Sequence, residues 1–193
     1  MTGIRQTNPV REQMLGTPAA VLQQFDALES QTRKLLSTPE IFATRRIILT
    51  GCGDSQMAAA SVEMAFEIFA GVPVEALPAM TASRYAIPAL GNQANGTLVI
   101  GISSSGAVAR TVEAVRSARI REPRPSRLPA KPESPVGQAA ERVLQMQSAS
   151  LPSAPGFFGY MLSMVALHLL AIRMAEVKGP TNARIRRMRR ECS

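Results

Sequence analysis

Two short runs rich in glycine and serine constrain the fold of this chain more than any other feature of its sequence. Each run lies between an apolar strand and a helix. Residues 51–55 read Gly-Cys-Gly-Asp-Ser after the apolar run 46–50, and residues 103–106 read Ser-Ser-Ser-Gly after the apolar run 98–102. Glycine lets the backbone turn sharply and lets a ligand come close. The first turn of a helix leaves N–H groups unpaired at the positive end of its dipole. Two such turns at the carboxyl edge of one parallel sheet predict an anion site, most naturally for phosphate.

The alternation of strand and helix patterns along the chain predicts an α/β fold, and 193 residues are enough for one domain with a real core. Thr17-Pro18 predicts a helix start, so residues 1–16 are expected to lie outside regular structure. The predicted helices are 17–36, 55–70, 81–90, 107–120, 136–142 and a long apolar helix over 157–175. The predicted strands are 46–50, 72–77, 97–102 and 143–147.

The alternation also requires a strand near residues 122–131, and the sequence there does not suit one. Residues 121–129 contain three prolines and three arginines, which cannot form a central strand, so we expect the fourth strand to be disrupted. One hypothesis is that the segment is read out of frame. Codons for residues 124–129 can be chosen that give Ala-Val-Ala-Leu-Thr when read two bases later. The alternative is a genuine loop insertion that replaces the strand.

The charge and the cysteine content exclude several classes of function. The net charge is +8, but the excess lies mainly in residues 119–131 and 184–190. Neither segment carries interleaved aromatic residues or a helix-turn-helix, so nucleic-acid binding is not expected. Cys52 and Cys192 do not form a disulfide framework, which favours a reducing cytoplasm. The single His168 cannot form a metal site alone, and no metal or other cofactor is expected.

The apolar segment 157–175 is long enough to suggest a membrane span. Four residues interrupt it: Gly159, Ser163, His168 and Arg173. We therefore expect a helix buried against the sheet and no membrane insertion. Residues 1–13 lack an apolar stretch, so no signal peptide is expected. Met161, Met164 and Leu167 are expected to face a partner, either a second copy or a second domain.

The order strand, G-C-G-D-S, helix, strand, S-S-S-G, helix, and then E-S-P before a late helix resembles the SIS (sugar isomerase) domain family. The resemblance covers about residues 40–178, with an N-terminal extension over 1–39 and a basic tail over 179–193. It implies a flavodoxin-like three-layer α/β sandwich with a mostly parallel sheet that binds phosphosugars. The chain looks most like the first half of tandem-SIS proteins, such as the isomerase part of glucosamine-6-phosphate synthase.

The resemblance also implies a set of ligand-binding residues in the two loops. The first loop contributes Cys52, Gly53 and Ser55, and the second contributes Ser103, Ser104, Ser105 and Gly106. The commonest family pattern continues with an acidic residue and threonine, where this chain has Ala107 and Val108. One phosphate-binding hydroxyl is therefore missing. Thr111, one helical turn later, is a substitute candidate, and Arg110 could supply charge if it folds back.

The resemblance leaves catalysis without an obvious residue. Aminosugar isomerases of this family place an enolising glutamate after the last strand, but residues 150–156 contain no carboxylate. Glu141 and His168 are secondary candidates, better explained as a surface acid and a core or partner-facing histidine. We expect a phosphosugar-binding part of an aldose–ketose or aminosugar phosphate isomerase or deaminase-type system, completed by a homodimer or second SIS domain. The alternative is a non-catalytic sugar-phosphate sensor acting through a protein partner.

Overall fold

The computed structural model describes residues 8–121, 127–129, 133–147, 151–152 and 157–179. The strands are β1 (Arg46–Gly51), β2 (Val74–Pro78), β3 (Thr97–Gly101), β4 (Arg127–Pro129) and β5 (Arg142–Leu144). The α-helices are α1 (Pro9–Leu35), α2 (Thr38–Ala43), α3 (Asp54–Ala70), α4 (Ala79–Thr81), α5 (Ile87–Ala89), α6 (Ala109–Arg121), α7 (Pro135–Ala139) and α8 (Phe157–Lys178). A π-helical turn, Ala82–Ala86, joins α4 to α5, and a 3-10 turn, Gly91–Ala94, precedes β3.

The five strands form one parallel sheet in the order β2-β1-β3-β4-β5. This order is the flavodoxin-like, doubly wound arrangement, so the predicted fold is confirmed. Strands β1 and β3 lie at the centre and pair at five positions, from Arg46 with Thr97 to Thr50 with Gly101. Their residues are almost all buried, as expected for a parallel strand covered on both faces.

Helices cover both faces of the sheet. Ile47 and Leu49 of β1 belong to a core shared with α1, α3 and α8. Ile48, which points to the other face, packs with Val99 of β3 and Ala114 of α6. The alternation along β1 therefore divides the core into two layers, which gives the three-layer sandwich.

Helix α8 packs against both α1 and α3, in agreement with the predicted buried helix. Its buried residues include Leu162, Ala166, Leu170 and Met174. The prediction that Leu167 faces a partner is wrong, because this side chain is buried in the core between α8 and its neighbours. Within the described ranges, α8 is the one helix long and apolar enough by composition to cross a membrane, and 39% of its most apolar window is buried.

Helix α1 begins earlier than the sequence predicted. The side chain of Asn8 accepts hydrogen bonds from the backbone N–H of Val10 at 3.1 Å and of Arg11 at 3.2 Å, which caps a helix that starts at Pro9. Thr17 lies inside this helix, where its hydroxyl donates to the carbonyl of Gln13 at 2.7 Å. The predicted start at Thr17-Pro18 is therefore wrong, because Asn8 caps a longer helix whose Gln13 donates to the carbonyl of Pro152 at 3.2 Å.

Beyond Leu144, where β5 ends, side chains of α1 take the place of a neighbouring strand. Gln31 donates to the carbonyl of Gln145 at 3.1 Å and accepts from its N–H at 2.8 Å. Gln24 makes the same pair of bonds with Gln147, at 3.1 and 3.0 Å. A side-chain amide offers the same donor and acceptor as a peptide group, so α1 satisfies the backbone groups of Gln145 and Gln147 that a neighbouring strand would otherwise pair.

The fourth strand spans three positions in the described residues, in agreement with the predicted disruption. In the described segments, β4 pairs with β3 at a single position, Ile100 with Arg127, and with β5 at three. The stronger expectation that no central strand could form is wrong. Strand pairing uses backbone groups, and Pro129, which lacks an N–H, stands at the strand end, where a missing donor is tolerated. Residues 124–126 of the out-of-frame hypothesis lie outside the described residues.

Candidate functional site

The first loop joins β1 to α3 by a turn that only glycine accommodates easily. Gly53 is the N-cap of α3 and has a φ of +56°, in the left-handed region. A Cβ at Gly51 would lie 2.9 Å from the Cβ of Ser55 and 3.0 Å from the carbonyl oxygen of Ile102. The missing side chain thus lets the end of β1 approach the loop after β3. Ser55 is buried, and its hydroxyl makes no hydrogen bond within the described part of the chain.

The second loop is shaped by its own serines. The hydroxyl of Ser103 is buried and accepts a hydrogen bond from the N–H of Gly106 at 3.0 Å. The hydroxyl of Ser105 accepts from the N–H of Ala107 at 3.3 Å. Both bonds close tight turns of the kind that serine stabilises. Ser104 and Ser105 are exposed at the end of β3, so their hydroxyl groups can reach a ligand.

Helix α7 is fixed to the second loop through Gly106. This glycine has a φ of +68°, and its carbonyl accepts from the N–H of Val136 at 2.9 Å. Ser134 caps α7 by accepting from Gly137 at 3.1 Å, and it fills the space that a side chain at Gly106 would need. The E-S-P run, residues 133–135, thus contacts the second loop, a contact that its place in the family resemblance did not predict.

The first turn of α8 also reaches the second loop. A Cβ at Gly159 would lie 2.8 Å from the hydroxyl oxygen of Ser104, so the absence of a side chain at this position leaves room for Ser104. Three helices, α3, α6 and α8, therefore begin around the same two loops. The contact between Gly159 and Ser104 was not predicted from the sequence, although a glycine in an otherwise apolar helix indicates that another part of the chain comes close.

Thr111 and Cys52 connect the two loops. The hydroxyl of Thr111 lies 4.0 Å from the sulfur of Cys52, and Thr111 is fully buried. The structure thus places Thr111 behind the loops. The guanidinium of Arg110 does not fold back over the second loop but binds the carboxylate of Glu113 at 2.8 Å. Glu113 also binds Arg84 of the π-helical turn at 2.5 Å.

The two secondary catalytic candidates lie away from the loops. Glu141 is exposed and directly precedes β5, at the amino edge of the sheet. The Nδ1 of His168 lies 2.8 Å from the carbonyl oxygen of Met164 within α8. Nine residues separate His168 from Gly159, which corresponds to about 14 Å along a helix. The structure therefore brings neither side chain to the serine loop.

Two further residues of the first loop region were not predicted as site residues. Asp54 is exposed in the first turn of α3, where its carboxylate opposes the approach of an anion. Thr50, immediately before Gly51, is fully buried, and its Oγ1 has no hydrogen-bond partner in the described part of the structure. Throughout the described ranges, no group of three or more His, Cys, Asp or Glu residues could hold a metal ion.

The position of the two loops matches a general rule for doubly wound sheets. Ligands bind outside the carboxyl ends of the strands, at the point where the strand order reverses. In the order β2-β1-β3-β4-β5 that point lies between β1 and β3. The glycine–serine loops follow these two strands, so they border the crevice in which the fold places a ligand.

Comparisons with known proteins agree with this architecture. A family model described as SIS domain matches residues 40–173. A glutamine–fructose-6-phosphate aminotransferase (isomerizing) from Symbiobacterium thermophilum is 31% identical over 144 residues, which are 75% of this chain and 23% of that protein. A second such enzyme, from Gloeobacter violaceus, is 30% identical over 72% of this chain and 22% of its own length. The chain thus spans about a quarter of these relatives.

Solved structures share the fold at low sequence identity. The protein c3406 of E. coli CFT073 has a TM-score of 0.73 and 19% identity, with 98% of this chain and 100% of that chain covered. The C-terminal domain of glucosamine-fructose-6-phosphate aminotransferase from Francisella tularensis has a TM-score of 0.67 and 18% identity. The similarity covers 89% of this chain and 51% of that chain.

Proposed function

Because this chain belongs to the SIS domain family, we propose that it binds the phosphate group of a phosphosugar between the loops that follow β1 and β3. The observation that carries the proposal is the convergence of these two loops at the reversal point of the sheet. The unengaged hydroxyl of Ser55 and the exposed hydroxyls of Ser104 and Ser105 are the donors. The helix N-termini add favourable backbone dipoles.

The proposed reaction context is a sugar-phosphate isomerase or aminosugar system, supported by the isomerizing enzymes among the relatives. This chain supplies the phosphate cradle, whereas the acid–base group comes from another domain or subunit. Residues 148–156 contain no carboxylate, and Glu141 lies at the opposite edge of the sheet. Enolisation needs a group that can move a proton between adjacent carbons, so the chain alone is expected to bind without turnover.

Titration calorimetry with fructose 6-phosphate tests the cradle. Ser55→Ala and Ser104→Ala are each expected to weaken binding about tenfold or more, because a hydrogen bond to a charged group contributes about 1.5–3 kcal/mol. Ser105→Asp is expected to weaken it further by placing a negative charge beside the phosphate. Ser61→Ala, two turns along α3 from Ser55, is the matched control and should bind as the wild type does. Fructose without phosphate should not bind.

Equal affinity of the wild type and the three loop variants would place the phosphate elsewhere and refute the proposal. A second candidate function, a sugar-phosphate sensor that acts through a protein partner, is supported by the same lack of a carboxylate. Turnover assays on fructose 6-phosphate and glucosamine 6-phosphate test the sensor, since both candidate functions expect no turnover from the chain alone. Robust turnover by the purified chain excludes the sensor.

We further propose that the chain contacts a second copy or a second SIS domain through α1 and α3. Leu22 on α1 and Met64 on α3 are 74% and 72% exposed, and each has another exposed apolar residue on its own helix, Leu15 and Met57. Exposed apolar residues of this size favour a protein interface. Sedimentation velocity should give a dimer for the wild type and for Gln23→Glu, and a monomer for Leu22→Glu or Met64→Glu. A wild-type monomer at high concentration refutes the homodimer.

A further inference from the structure

The chain has a cavity at the edge of the sheet opposite the glycine–serine loops. Its volume is about 460 Å³, and it lies between the end of α2, the start of β1, the end of α3 and the end of α8. None of the residues that border it belongs to the loops after β1 or β3. The volume lies within the range of about 300–1,000 Å³ that holds small organic ligands.

Two cationic side chains line this cavity. Arg45 is exposed, and its guanidinium makes no hydrogen bond or ion pair in the part of the chain that the structure describes. Lys178 is half-buried, and its Nζ donates to the carbonyls of Ala70 at 3.1 Å and Thr44 at 3.4 Å. Burial and the nearby charge of Arg45 lower the pKa of Lys178. Two cationic side chains at one border favour an anionic ligand.

The rest of the cavity border is mostly apolar apart from Thr44 and backbone groups, and the described border contains no acidic residue. Phe42 and Phe69 are both exposed, at 56% and 41%, although they are large aromatic residues. Val72 and Pro73 add further apolar surface to the border. Aromatic side chains at a concave surface favour a flat apolar group, and a few placed charges give such a site its specificity.

We propose that this cavity binds a small organic monoanion with a flat apolar body, whose carboxylate or sulfonate binds Arg45 and Lys178. The apolar body packs between Phe42 and Phe69. A sugar phosphate is polar throughout and does not suit the aromatic walls. The site therefore differs in chemistry from the phosphate cradle, and it stands independently of that proposal.

The probe for this site is 2-naphthoate, an aromatic carboxylate. The control compound is 2-naphthamide, which has the same ring system but no charge. In ¹H–¹⁵N spectra of the full chain, naphthoate should shift the amides of Gly71, Val72 and Gly179. It should bind at least about fivefold more tightly than the amide, because a charge-assisted hydrogen bond is roughly twice as strong as a neutral one.

Arg45→Gln should remove the advantage of the carboxylate over the amide. Glutamine keeps the Cβ and Cγ that pack near Gly96, and the backbone N–H of residue 45 still donates to the carbonyl of Gly96, at 2.8 Å in the wild type. The fold is therefore retained. Arg116→Gln, an exposed arginine on α6, is the matched control and should preserve that advantage.

The proposal is overturned if millimolar naphthoate shifts no amide at the cavity, or if naphthamide binds as tightly as naphthoate. It is also overturned if Arg116→Gln removes the preference as Arg45→Gln does. Fructose 6-phosphate reports on the other site through the amides of residues 103–106, so the two proposals can fail separately.

Discussion

Replacing Gly106 by alanine tests whether the second loop is held by its contact with α7. The residue has a φ of +68°, and the left-handed region costs a residue with a Cβ about 1–2 kcal/mol. The new methyl group would also overlap Ser134, which caps α7. Overpacking in such a place costs about 1–3 kcal/mol. We therefore expect Gly106→Ala to destabilise the chain by about 3 kcal/mol.

A double-mutant cycle separates the two contributions. Ser134→Gly removes both atoms that the new methyl group would strike, whereas glycine as a helix cap costs only a few tenths of a kcal/mol. In that background Gly106→Ala should cost only the backbone part, about 1–2 kcal/mol. Gly91→Ala provides the control for that part, because Gly91 has a φ of +50° and nothing within 4 Å of its missing Cβ.

Equilibrium unfolding in urea measures the free energy of unfolding of each variant. In thermal unfolding, the Tm of Gly106→Ala should fall by about 6–12 °C for a chain of this size. Gly91→Ala should lose about half as much or less. A stabilising contact between Gly106 and Ser134 is refuted if Gly106→Ala costs no more than Gly91→Ala. It is equally refuted if the cost of Gly106→Ala is the same with Ser134 and with glycine at position 134, because the contact would then contribute nothing.

Three other changes have definite expected outcomes. Gln24→Met should cost about 2 kcal/mol in urea unfolding, because it leaves the N–H and carbonyl of Gln147 unpaired, whereas Gln23→Met on the exposed side should be neutral. Asp54→Asn should raise the affinity for fructose 6-phosphate about two- to tenfold in calorimetry, and an unchanged affinity would place Asp54 away from the phosphate. The hydrogen bond from Arg110 lowers the pKa of Glu113 below its usual 4.5. The wild type should therefore have a higher Tm than Glu113→Gln, and this difference in Tm should be complete above about pH 4.5. The difference should disappear as the pH falls through the lowered pKa of Glu113.

The parts of the fold that local chemistry determines could be predicted from the sequence. Strands β1 and β3 are runs of apolar residues with glycine at their ends, and both appear within one residue of the expected bounds. The two loops carry glycine and serine where the chain must turn sharply and begin a helix, so their place at the sheet edge follows from the strand order. The bounds of these strands and loops could therefore be predicted without information from residues distant in the sequence.

The parts that distant contacts determine could not be predicted in this way. Thr17-Pro18 has the local features of a helix start, yet Gln13 and Gln24 of the same helix bond to residues more than 100 positions later and hold the longer helix in place. Likewise, no periodicity indicates that Gly159 meets Ser104 or that Gly106 meets Ser134. Such contacts depend on the three-dimensional arrangement, and only an isolated glycine hints at them.

Strand β4 is the place where sequence and fold disagree most, and it permits a direct test of the cause. Within the described residues, its single paired position with β3 contrasts with the five that join β1 to β3. Replacing residues 124–128 by Ala-Val-Ala-Leu-Thr, the peptide of the shifted frame, should lengthen the ladder. Each added backbone hydrogen bond contributes about 1 kcal/mol, so we expect about 2 kcal/mol of stabilisation in urea unfolding. Replacement by Ala-Gly-Ala-Gly-Thr is the control and should not stabilise. If both variants are equally or less stable than the wild type, or if the codons do not encode an apolar segment in another frame, the segment is a genuine insertion.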